Sequence, residues 1–185
     1  MKMLSKVKIH LSNEKAFTLI EVIVSLVLVG ILAAIAGMGL IKIAEGYVFA
    51  KQNAEATQKG QIAIARIVKE LSAAEKATAA ATPITAAGAA SVTYTRQESP
   101  GSATFTTNII AFSGSTVTVK LGAAAAVPLI DNVTALALTY LNAAGANSAA
   151  NLPNIRRIDI SLALNGANGQ ALPAFTNTIY IQQNY

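Results

Sequence analysis

Twenty consecutive residues, 22–41, carry no charge, and Ser25 is their only polar side chain. As an unbroken helix at about 1.5 Å per residue, this run spans about 30 Å, the depth of a bilayer's hydrocarbon core. A helix at the edge of a globular core shows one apolar stripe and one wet face. A run apolar on every side points instead to membrane insertion. In the first sixteen residues Lys2, Lys6, Lys8 and Lys15 stand against Glu14 alone. The positive-inside tendency keeps these lysines in the cytoplasm and sends the C-terminal part across the membrane. Gly30, Gly37 and Gly39 allow close helix contact and weaken the helix locally.

The formal charge of +5 is concentrated in this leader, because the remaining chain holds ten Lys/Arg against eight Asp/Glu. So nearly balanced a charge makes no basic stripe for phosphates, and no nucleic-acid partner is expected. The chain has no cysteine. Disulfides, iron–sulfur clusters, thiolate zinc sites, thiol nucleophiles and a lipidated cysteine anchor are all excluded. The single histidine, His10, lies in the leader.

One residue interrupts the pattern. Glu21 sits at the entrance of the apolar run, where a carboxylate near hydrocarbon costs a few kcal/mol unless it is partnered. It either reaches water at the membrane edge or serves a function there. Two processing schemes are open. Ala34-Ile35-Ala36 before Gly37 offers the small-x-small cut of a secretory signal, which would release a free exported domain.

The other scheme is a resemblance. Lys15-Ala16-Phe17-Thr18-Leu19-Ile20-Glu21-Val22, leading into the uncharged run, resembles the prepilin signature of type IV pilins and type II secretion pseudopilins. That resemblance implies a leader of residues 1–16, cleavage between Ala16 and Phe17 by a prepilin peptidase, and N-methylation of Phe17. It implies that Glu21 neutralises the N-terminal amine of a neighbouring subunit during assembly. A buried carboxylate and ammonium are tolerable only together, so the pairing would set axial register. Ala16 stands where the family mostly has glycine, and Met38 where many major pilins have proline. Gly37 and Gly39 flank that position and offer another way to loosen the helix.

One helix over 17–77 is the simplest reading, with 17–41 as membrane span and filament core. Its second half turns amphipathic: Ile64, Ile67, Val68 and Leu71 repeat at the spacing of a buried stripe. Glu55 and Lys59 are ordered for an i,i+4 ion pair, and Arg66 and Glu70 form the weaker reverse order. Residues 77–90, rich in Ala and Thr with Pro83 and Gly88, read as an exposed connection. Strand patterns follow at 91–96, 104–112, 116–121, 133–142, 157–164 and 175–183, separated by turn signals. Segment 133–142 is apolar on both faces and is expected at the centre of its sheet. The fold class is α+β: a head over 78–185 built from an antiparallel sheet of about five or six strands against the back half of the long helix.

Residues 128–133, 138–145 and 155–160 are similar to minor pilins of W type and minor pseudopilins of J type. This likeness implies a subunit of the complex that starts the filament at its tip. The missing cysteines remove the C-terminal disulfide loop of many major pilins.

Nothing suggests an enzyme. Beyond the leader there is no histidine, hence neither the usual proton shuttle nor a soft metal ligand. Asp131 and Asp159 are the one conceivable carboxylate pair. The simpler expectations are a turn for Asp131 with Asn132 and an arginine partner for Asp159. Glu98 reads as a solvated loop charge. Acidic residues are too sparse for calcium, and no glycine pattern supports a nucleotide. No cofactor is expected. The segments 142–154 and 77–90 read as exposed, flexible candidates for contact with a partner, and Arg156 and Arg157 could meet an acidic patch on a neighbouring head.

The reading is a structural subunit of a type IV pilus or type II secretion pseudopilus, minor rather than shaft-forming. The resemblance implies partners: other pilin or pseudopilin subunits, the prepilin peptidase and N-methyltransferase, and an assembly platform membrane protein. It also implies a single-pass inner-membrane stage before the filament. A major shaft pilin, or an anchored or secreted binding domain that never polymerises, stays open as an alternative.

Overall fold

A computed structural model describes residues 17–78 and 81–181. The expected leader 1–16, with Ala16, His10 and the four lysines, lies outside the described residues, as do residues 182–183 of the last expected strand. The chain divides into two compact units, Met1–Tyr47 and Val48–Tyr185. One helix, α1 (Leu19–Ser72), supplies the described secondary structure of the first unit and opens the second.

In the first unit α1 is unbroken through Gly30, Gly37, Met38 and Gly39. A methyl group added at any of those glycines would meet nothing within 4 Å. Loosening around Met38, expected from the flanking glycines, therefore does not occur. The helical hydrogen-bond ladder outweighs a propensity deficit of about 1 kcal/mol per glycine. Ser25 donates its hydroxyl to the Glu21 carbonyl at 2.7 Å, so the one polar side chain of the apolar run is satisfied within the helix.

Among the described residues the second unit contains eight antiparallel strands in two sheets. The first sheet is a meander of β1 (Ile84–Ala87), β2 (Ser91–Gln97), β3 (Phe105–Ser113), β4 (Thr116–Leu121) and β5 (Val127–Ile130). The second comprises β6 (Val133–Leu141), β7 (Arg157–Leu164) and β8 (Phe175–Tyr180), paired in that order. The expected single sheet is thus corrected to two. The two strands not anticipated are sheet edges, where local signals are weakest. β5 carries Pro128, which is tolerated at an edge because it lacks an N–H. β1 lies inside the Ala/Thr-rich stretch read as a connection.

β6 is not central, contrary to the expectation for 133–142. It pairs only with β7. A register shift between Val133 and Ala135 resets its alternation. Val133, Leu136, Leu138 and Tyr140 are buried, whereas Ala135, Ala137 and Thr139 face outward. The outward face is apolar in name only, because alanine exposes little surface.

α1 covers these sheets with Gly60, Ala63, Ile64, Ile67, Glu70 and Leu71. The expected stripe holds, with Val68 at its margin. A Cβ on Gly60 would lie 2.5 Å from Cε2 of Phe175 and 2.6 Å from Cδ1 of Leu164, so glycine permits the close approach of the second sheet. The helix stops at Ser72, short of Ala77. The Glu75 N–H donates to the Thr95 carbonyl at 2.9 Å, and the Thr95 hydroxyl donates to the Glu75 carbonyl at 2.6 Å. Those bonds to β2 replace the next helical turn.

Besides their shared apolar core, hydrogen bonds tie the sheets to each other. The Leu138 N–H donates to the Ala89 carbonyl at 2.8 Å and the Val133 N–H to the Ser115 carbonyl at 2.9 Å. The buried Tyr140 hydroxyl lies 3.0 Å from the carbonyls of both Gly88 and Ser91. Burial raises that phenol well above its ordinary 10.0.

Candidate functional site

The N-terminal edge of α1 is built by Thr18. Its carbonyl accepts the N–H groups of Glu21 at 3.1 Å and Val22 at 3.2 Å. Its hydroxyl accepts the Glu21 N–H at 3.3 Å. Thr18 is therefore the N-cap and Glu21 the third helical residue, the Thr-x-x-Glu spacing of a capping box. The spacing stands in the sequence directly before an apolar run and was a readable start signal. A carboxylate in the first turn also faces the positive end of the helix dipole.

Phe17 is 76% exposed, and Glu21, one turn on, is exposed too. Among the described residues no cation lies within ion-pair distance of the Glu21 carboxylate. Beyond it, the large apolar side chains from Val22 to Ile41 are all exposed. The Lys42–Glu45 pair at 2.9 Å ends the uncharged stretch. By length and composition this helix is able to cross a membrane. It presents an apolar cylinder headed by one carboxylate.

The head offers less chemistry. Asp131, in the turn before β6, lies 3.8 Å from Lys59. Asn132 beside it takes a left-handed φ of 56°. Asp159, on β7, accepts from Arg157 at 3.2 Å and from the Thr178 hydroxyl at 2.8 Å. The two aspartates have separate partners on separate elements, so the structure does not bring them together as a pair. Glu98 is held by the Thr104 hydroxyl at 2.8 Å. Lys51, rather than Lys59, pairs with Glu55, at 3.9 Å. Lys59 is drawn to Asp131 instead.

Arg156 donates to the Pro153 and Ile155 carbonyls at 2.8 and 3.2 Å. Its guanidinium is used to close the preceding loop. That loop, 142–154, carries hydrogen bonds of its own. Asn142 Oδ1 accepts the N–H groups of Ala144 and Ala146, both at 2.9 Å, and Ser148 donates to the Asn151 carbonyl at 3.0 Å. Such Asx turns replace the ladder where glycine and asparagine interrupt it.

The ion pair expected between Arg66 and Glu70 on α1 forms; what the sequence reading did not anticipate is the burial of Glu70 and its partners on β2. Glu70 is 2% exposed. Its carboxylate takes Arg66 at 2.7 Å, Arg96 at 2.8 Å and the Tyr94 hydroxyl at 3.1 Å. A signal for its burial existed, since position 70 follows Ile67 by three and lies on the buried stripe. Burial, with the Glu70 charge next in weight, pushes the Tyr94 phenol well above 10.0.

Comparison with known proteins gives one positive finding. Residues 11–37 match the prokaryotic N-terminal methylation motif. The matched stretch contains the Ala16–Phe17 junction, the Thr18 cap, Glu21 and the first part of the exposed apolar helix. No curated protein matches the chain.

Proposed function

We propose that this chain is a structural subunit of a type IV pilus-like or pseudopilus filament, assembled through its N-terminal helix. The observation that carries the reading is the methylation motif at residues 11–37, coinciding with the capped start of a 54-residue helix whose large apolar side chains between Glu21 and Lys42 are all exposed. Such a surface fits anchoring in a membrane and then burial among identical helices.

In this reading a prepilin peptidase cuts between Ala16 and Phe17 and the new amine of Phe17 is methylated. The subunit waits in the inner membrane with its head on the far side, until a platform membrane protein passes it into the filament. Glu21 pairs with the Phe17 amine of a neighbour. The pairing keeps a carboxylate tolerable among apolar helices and fixes one axial register. The minor, filament-initiating role rests on the likeness of residues 128–133, 138–145 and 155–160 to minor pilins of W type and minor pseudopilins of J type.

Intact mass and N-terminal sequencing of the membrane-extracted protein test the reading. A chain that starts at methylated Phe17 supports it. A chain that starts at Gly37, or one that keeps its leader in cells with an active prepilin peptidase, overturns it. Counting the subunit against a shaft pilin in sheared filaments separates the roles: a minor subunit is a small fraction of the total, and equal or greater abundance removes the minor role.

A further inference from the structure

An apolar groove of about 480 Å³ opens on the head between α1 and the β4–β5 edge. Its walls are Ile62 and Arg66 from the helix, Leu121 from β4, and Val127, Pro128 and Leu129 from β5. Ile62 and Val127 are 60% and 62% exposed, so two large aliphatic side chains stand in water at its mouth. The single charged wall is Arg66. Arg66 and Arg96 share the one Glu70 carboxylate, which leaves this corner with a net positive charge.

The same chain carries a second uncovered apolar surface. Ile43, Tyr47, Val48 and Phe49 follow the Lys42 end of the membrane-length run and are exposed. In the stretch 43–49 the only charged residue is Glu45. Its pairing with Lys42 is solvent-exposed and worth little, so it can be exchanged. Phe49 cannot reach the groove of its own chain. It precedes Ile62 by thirteen residues on one continuous helix, about 20 Å along the axis.

We propose that the groove beside Arg66 receives the 43–49 segment of a second copy of this chain. Apolar side chains of the helix fill the apolar groove, and Glu45 meets the positive corner at Arg66. The two surfaces differ, so the contact is heterologous: each copy offers its helix to one neighbour and its groove to another. Repetition of such a contact builds an open polymer rather than a closed dimer. The inference rests on the filament reading and adds the surfaces that meet.

Engineered cysteines test it, since the chain has none of its own. Two differently tagged full-length copies, Phe49→Cys and Val127→Cys, are co-expressed with the assembly machinery and treated with a mild oxidant. The expected product is a disulfide-linked dimer carrying both tags. It should be lost when Val127→Cys is replaced by Tyr180→Cys, an exposed position on the other sheet. Glu45→Arg should reduce the 49–127 dimer, and Glu45→Gln should reduce it less. Mature, sedimentable filaments without the 49–127 disulfide overturn this contact and leave the filament reading standing. A correctly processed chain that never sediments and never cross-links overturns both.

Discussion

Glu70 shows what a single buried charge costs and contributes. Its carboxylate is out of water, and it is tolerable because two guanidiniums and a phenol donate to it. Removing it with Glu70→Ala leaves Arg66, Arg96 and Tyr94 without their acceptor. Both arginines are partly exposed and can turn to water, so the loss should fall below the range for fully buried pairs, at about 2 kcal/mol. Urea unfolding of the detergent-solubilised full chain measures it, and an unchanged midpoint would contradict the geometry. Tyr94 and Tyr140 add a pH dependence. Both folded phenols titrate above the ordinary 10.0, so the unfolded chain loses these protons first. Their contribution is complete below pH 10.0 and declines as pH rises further. Tyr140→Phe should cost about 1–2 kcal/mol at neutral pH through its lost hydrogen bond. It should also flatten the alkaline fall in stability, which a denaturant series at rising pH reads directly.

At the scale of elements, legibility followed periodicity. β4 and β7 have the bounds that alternation predicted, and Ile64, Ile67 and Leu71 are buried at the expected spacing. What failed depended on partners distant in sequence. The end of α1 is set by Thr95, which the helix pattern cannot reveal. The bulge in β6 is set by its pairing with β7. Gly60 belongs to the same class, because only the tertiary structure shows Phe175 and Leu164 against its Cα. Gly60→Ala trades a helix-propensity gain of about 1 kcal/mol against displacement of two side-chain ends, and should be close to neutral. Gly60→Val loses most of that gain and adds two methyl groups where there is no space. It should destabilise by about 2–3 kcal/mol, seen as a lower thermal midpoint than that of Gly60→Ala; equal midpoints would mean that the second sheet yields freely.

For the whole molecule, the division of labour between the units gives the sharpest test. The proposed function rests on residues 15–22 and the run behind them, whereas the head sequence offered only candidate contact segments, 77–90 and 142–154 with Arg156 and Arg157. In the first unit Glu21 is the sole carboxylate between Phe17 and Lys42, at the start of a helix otherwise suited to hydrocarbon. Glu21→Ala removes a charge whose burial costs a few kcal/mol, so insertion in the membrane should be unchanged or improved. Assembly should fail nonetheless, because the Phe17 amine of the next subunit would be left among apolar helices without a counter-charge. Glu21→Gln separates charge from shape: it keeps the size and some hydrogen bonding but not the ion pair, and should also fail. Three readings on one sample decide the matter: membrane-fraction abundance, N-terminal mass and yield of sheared filament. Abundant membrane protein that starts at Phe17, with filament lost in both variants, supports an assembly role for the charge. Normal filament from Glu21→Ala would show that the carboxylate only reaches water at the membrane edge, and the register would then have to come from the heads.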